Sequence, residues 1–159
     1  MSDIFQCIVV ALSGTESSQA AAGLALRIAR LHDARVVMVN VVDTGLAEEI
    51  ARLMGRPEEQ VLSEMELSGR NILRHGEVMA RQEGIAVETV VRRGTPYLEI
   101  VTEAEERGAD LVVLGSTHAA GLRRLAIGRV VERVIEHSDC PVLVVRRRAR
   151  LGPSGMGTV

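Results

Sequence analysis

The sequence predicts an α/β domain: a single doubly wound parallel five-stranded sheet with helices on both faces. Two observations predict the sheet. Short apolar runs recur at 8–12, 35–42, 85–91, 111–114 and Val142–Val145, and runs that are continuous rather than alternating mark strands buried on both faces. Amphipathic helical patterns stand between these runs, and strict alternation implies right-handed crossovers into a parallel sheet. A third observation fixes the scale. At 159 residues, 47% hydrophobic and 25% charged, the chain has the size and balance of one soluble domain with a substantial core.

Each element has a local reason. The first strand stops at Ser13-Gly14-Thr15, whose composition turns the chain. Ser17 or Ser18 then stands where a helix is capped, ahead of an apolar stripe at Ala21, Leu24, Ala25, Ile28 and Leu31. The Val-rich second strand follows. After Asp43 a variable segment passes through Gly55-Arg56-Pro57 into a long helix, 58–83, with Val61, Met65, Ile72 and Met79 on one face and Gly84 as its stop. The third strand leads to Thr95 as N-cap and Pro96 as first helical residue, and Gly108 ends that helix. Strand four runs into Gly115, a small-residue loop and Gly128, which precedes a helix patterned by Val130, Val134 and Ile135. The domain is therefore 1–147. The tail 148–159, part of RRRAR followed by LGPSGMGTV, has no periodicity and is expected to be disordered or loosely attached.

Composition removes several functions. All 19 basic residues are arginine, so P-loop and Schiff-base chemistry, which require lysine, are excluded. A net charge of −2 and only two aromatic residues, Phe5 and Tyr97, provide neither the field nor the stacking platform for nucleic acid. No apolar stretch approaches a membrane span. No basic leader or small-residue cleavage site precedes the first strand, so the expected location is the cytoplasm. Cys7 and Cys140 each begin an apolar run and read as small buried hydrophobes, not as a disulfide. No Gly-x-Ser-x-Gly elbow accompanies Ser13, Asp43 and His118, which argues against a hydrolase triad.

The richest stretch is 109–145, ADLVVLGSTHAAGLRRLAIGRVVERVIEHSDCPVLVV. Strand, glycine-bearing loop, helix start, strand is an arrangement that aims backbone N–H groups at an anion. With its GADLVVLG approach and CPVLVV ending, and with the alternating pattern across 4–147, the chain resembles the universal stress protein family. That resemblance implies strand order 3-2-1-4-5 and an adenine-nucleotide cleft lined by Ser13, Gly14, Thr15, Val41, Gly94, Pro96, Gly115, Ser116, His118, Gly128, Arg129 and Val130. Val41 corresponds to the residue whose backbone reads adenine, and Gly94 and Pro96 to the turn beside it. It also implies a homodimer across strand Val142–Val145, an edge with no charge and only Pro141 to block its start.

Three positions depart from the family pattern. Its loop carries glycine, two residues, glycine, nine residues, then glycine with Ser or Thr. Gly115 and Gly128 fit, whereas His118 replaces the second glycine and Arg129 the hydroxyl residue. Ser13 stands where the first strand usually ends in Asp. His118 brings a Cβ into a close-approach position. Ser13 can hydrogen-bond but cannot supply a magnesium ligand. Arg129 opposes the helix dipole by about 0.3–1 kcal/mol, unless it and Arg123 or Arg124 meet an anion. This pattern resembles the branch that does not bind ATP. The expectation is a regulatory or interaction protein with a vestigial or altered nucleotide cleft, no required cofactor and no metal. The alternative is an ATP- or AMP-binding member in which Arg129 replaces the hydroxyl contact, and slow ATP hydrolysis is the one enzymatic reading retained.

Overall fold

The computed structural model describes residues 4–116 and 128–146. Five strands and five helices alternate, with one doubled helix: β1 Cys7–Ala11, α1 Glu16–His32, β2 Arg35–Asp43, α2 Thr44–Met54, α3 Glu58–Gln82, β3 Val87–Gly94, α4 Pro96–Arg107, β4 Leu111–Gly115, α5 Arg129–His137 and β5 Val142–Val145. The sheet order is β3-β2-β1-β4-β5, and every pairing is parallel. Successive strand residues point to opposite faces, which is why the valine runs need no polar alternation. Ile8, Val10, Met38 and Val113 pack under α1 and α3. Val9, Val37, Val39 and Val112 pack under α4 and α5.

Four local expectations are corrected. The segment after Asp43 is a helix, α2, whose N-cap is Asp43 itself: its side chain accepts from Leu46 N–H. Ala47 and Ala51 bury against Val42, Val61 and Leu62. The cap of α1 is Thr15, which accepts from Ser18 N–H, while Ser17 and Ser18 lie buried in the first turn. The buried stripe of α1 is Ala21, Ala22, Ala25, Leu26 and Ala29. Leu31 lies on the opposite side of the helix and is 82% exposed, and Ile135 on α5 likewise points outward beyond buried Val131 and Val134. Finally, β3 continues through Arg92 and Arg93 to Gly94, because carboxylates of the flanking helices neutralise both arginines.

Those arginines stand on β3, an edge strand of the sheet, and pair with helices on its two faces. Arg92 donates to Glu99 at 2.6 Å, Glu103 at 2.7 Å and Glu106 at 3.1 Å, and Arg107 holds the other oxygen of buried Glu103. Arg93 reaches Glu59 and Glu66 on α3. At the opposite edge, β5 contributes four half-buried apolar residues and no charge. Its backbone direction can be read from the ladder. The carbonyls of Pro141 and Val145 accept from Val112 and Ser116, so residues 141, 143 and 145 face β4 and the N–H groups of Val142 and Val144 face outward. Pro141 therefore does not guard the outer side.

Candidate functional site

In an open α/β sheet the natural crevice lies at the carboxyl ends of the strands, where chain order reverses. Here the reversal falls between β1 and β4. A cavity of about 300 Å³ opens there, walled by the ends of β1, β2 and β4 and roofed by residues of α2, α3, α4 and α5. That is the lower end of the range for small-molecule sites.

Five of the residues expected from sequence line this cavity: Ser13, Val41, Pro96, Gly115 and Val130. The others frame it or lie apart. Thr15 caps α1 and stands 3.2 Å from the Ser13 hydroxyl. Gly14, at φ 85°, borders a second cavity of about 270 Å³ between α1 and α3. Gly94 ends β3 beside Asp43, where a Cβ would meet the Glu99 side chain. Ser116 is buried, its N–H donating to Val145 and its carbonyl accepting from Gly128 N–H, so its backbone is committed to the fold. Gly128 is the N-cap of α5 with no side-chain capping bond, and Arg129 beside it is exposed. His118, Arg123, Arg124 and the tail 148–159 lie outside the described residues.

The helix termini set the electrostatics. α1 begins behind Ser13, and its first turn is held by hydroxyls: Ser13 N–H donates to Ser18 Oγ at 3.2 Å and Ser18 Oγ to the Thr15 carbonyl at 3.0 Å. α5 begins at Arg129 with Val130 in the cavity wall. Its uncapped N–H groups form a partial positive pole. Arg129 makes no ion pair with any described carboxylate.

Sequence reasoning missed Asn40, Asp43, Leu46, Met65 and Ile100, all of which line the cavity. Asn40 gave a visible signal, a single amide inside a valine strand. It is 7% exposed and donates to the Leu12 carbonyl at 2.9 Å, fixing the end of β1 from which Ser13 projects. Gly69 of α3 is flush against it: a Cβ there would come within 2.2 Å of Asn40 Oδ1. Asp43 is the single carboxylate lining the cavity among the described residues, and one of its oxygens already caps α2. Among the same residues no group of His, Cys, Asp and Glu is disposed to hold a metal ion. No helix there is long and apolar enough to cross a membrane.

A doubly wound domain with an apolar cavity at its switch point and helix N-termini beside it belongs to the nucleotide-binding class of α/β architectures. Comparison with known proteins narrows this. The universal stress protein family model matches residues 5–146, and the chain belongs to that family. A universal stress protein of Methanocaldococcus jannaschii is 36% identical over 149 residues, spanning 91% of this chain and 84% of that protein. The universal stress protein UspA from Lactobacillus plantarum shares the fold at a TM-score of 0.76, with 24% identity and coverage of 89% and 97%. A universal stress protein solved in complex with cAMP aligns at a TM-score of 0.64, with 26% identity and coverage of 89% and 97%.

Proposed function

We propose that this chain is a regulatory universal stress protein whose cleft is altered at its phosphate end. It takes the nucleoside part of an adenine nucleotide and does not hold ATP with magnesium. The observation carrying this reading is the character of the cavity. It is open and mostly apolar, with Val41, Pro96 and Val130 in its wall, yet the group at the end of β1 is a neutral serine and the one lining carboxylate among the described residues is already a helix cap. A base and ribose fit such a space, whereas a magnesium triphosphate lacks its acidic anchor. The relative bound to cAMP, a nucleotide with one phosphate, supports the same reading.

Calorimetric titration with adenosine, AMP and ATP, with and without magnesium, tests it. The expected result is AMP or adenosine binding that magnesium leaves unchanged, with ATP weaker. Magnesium-dependent ATP binding at low micromolar levels, about −8 kcal/mol, overturns it. One observation favours a second reading. Arg129 is exposed at the positive pole of α5 with no described carboxylate partner, so it is available to a phosphate in place of the missing hydroxyl.

The same proposal includes a homodimer through β5. The β3 edge strand carries two arginines paired with flanking carboxylates, while β5 leaves outward N–H groups on an uncharged apolar strand, and an unprotected edge invites pairing.

A further inference from the structure

We infer that Asn40 is a specificity-determining residue of the cleft: its side-chain oxygen selects a purine with a 6-amino group over one with a 6-oxo group or none. The inference deepens the nucleoside reading proposed above and rests on it. Asn40 is the one amide in the valine run of β2, and it lines the cavity. Side chains alternate along a strand. Asn40 therefore points to the α3 side of the sheet, against Gly69, while Val39 and Val41 pack on the other face.

A side-chain amide can ordinarily turn over and offer either its oxygen or its nitrogen. Here it is held. Asn40 Nδ2 donates to the Leu12 carbonyl at 2.9 Å, and turning the amide would set two acceptor oxygens against each other. Gly69 holds the other end, because only a residue without a Cβ leaves space for Oδ1. Oδ1 itself accepts no hydrogen bond from any described residue. Nor is it sealed in: among the described residues, the fully enclosed side-chain atom without a partner is Arg133 Nε. A fixed, half-satisfied amide in a mostly apolar cavity leaves one acceptor for a ligand to meet.

The 6-amino group of adenine is a donor, whereas a 6-oxo purine places an acceptor at the same position. Against a fixed oxygen the first gains a hydrogen bond and the second meets repulsion. A purine with hydrogen at carbon 6 leaves Oδ1 desolvated and unpaired. Leu12 and Met65, the latter one helical turn before Gly69, are the apolar lining on this side. They suit a flat base better than a ribose, whose hydroxyls need polar partners.

Calorimetric titration of the full chain with adenosine, inosine and purine riboside tests this, on the wild type and on Asn40→Leu. The wild type should bind adenosine about tenfold more tightly than either analogue, the loss expected when one buried hydrogen-bonding group goes unpaired. In Asn40→Leu, adenosine should fall to the level of purine riboside. Leucine also leaves the Leu12 carbonyl without its donor, so Gly69→Ala serves as a second variant; its methyl group displaces Oδ1 and should likewise erase the preference. Equal affinities for adenosine and purine riboside in the wild type overturn the inference. So does a preference undiminished in a folded variant, because the amino group is then read elsewhere in the cleft. Failure of all three nucleosides to bind overturns the nucleoside reading itself, and the inference falls with it.

Discussion

Gly115 sits flush against Ser17. A Cβ at residue 115 would fall 2.5 Å from the Ser17 carbonyl carbon and 2.5 Å from the Ser18 nitrogen. The first glycine of the loop motif therefore has a packing role independent of any ligand: it lets the end of β4 lie directly on the first turn of α1. The backbone on both sides is fixed, by the β4 ladders and by the Thr15 cap, so neither can yield cheaply.

Gly115→Ala should accordingly lower stability by about 1–3 kcal/mol, the range for overpacking a filled interior. Urea denaturation with no ligand present is the measurement, read as a shift in midpoint at constant slope. An unchanged midpoint would return this glycine to a purely ligand-facing role.

The strands were legible because five apolar runs are separated by helix patterns, and their order came from the family resemblance, which the sheet bears out. α2 was not, since Gly45 and the charged residues Glu48, Glu49 and Arg52 read as a variable segment, although Asp43 as N-cap with Ala47 and Ala51 at helical spacing would have revealed it. Leu31 and Ile135 were misplaced for a different reason. Apolar character alone does not fix the phase of a stripe, and in α1 the small Ala22 and Ala29 allow the close approach that sets it. Of the site, Ser13, Val41, Pro96, Gly115 and Val130 were named through the family resemblance, and all five line the cavity. Met65 and Ile100 come from helices far away in sequence, and only the tertiary fold brings them to the cavity.

The cysteines separate by burial. Both are free: Cys7 is buried on β1, and Cys140 is half-buried ahead of β5. β4 lies between those strands, so two spacings of about 9–10 Å exceed the roughly 4.4–6.8 Å that a disulfide spans. Burial also pushes the Cys7 thiol above its ordinary pKa, which leaves less thiolate to react. A chromogenic thiol reagent at pH 8 should label Cys140 first in the native protein and reach both thiols after unfolding without reductant. A single titratable thiol in the unfolded chain would contradict this assignment.

The phosphate end proposed to be altered predicts a gain on reversal. His118→Gly with Arg129→Ser restores the family's glycine and hydroxyl, and ATP affinity should rise, by tenfold for each ~1.4 kcal/mol recovered. Fluorescence competition against a labelled adenine nucleotide would measure it. Arg129→Ser alone should do little if the cation merely extends into solvent. If wild type binds ATP well and this single change abolishes binding, Arg129 is the phosphate contact and the second reading of the cleft is correct.

The ladder geometry singles out one position at the β5 edge. The N–H of Val144 faces away from β4, while those of Leu143 and Val145 face toward it. Val144→Pro therefore deletes an outward donor and spares the β4–β5 hydrogen bonds, and Val144→Lys adds a charge on the same edge residue. Both are ways in which natural sheets blunt an edge. Light scattering behind a sizing column should show the wild type as a dimer at tens of micromolar and both variants as monomers, with helical circular dichroism retained. Leu143→Pro, on the inward side, should instead unfold the edge by removing a donor to β4. A dimer that survives both Val144 changes must be built on another surface, because no other residue within β5 except Val142 offers an outward donor.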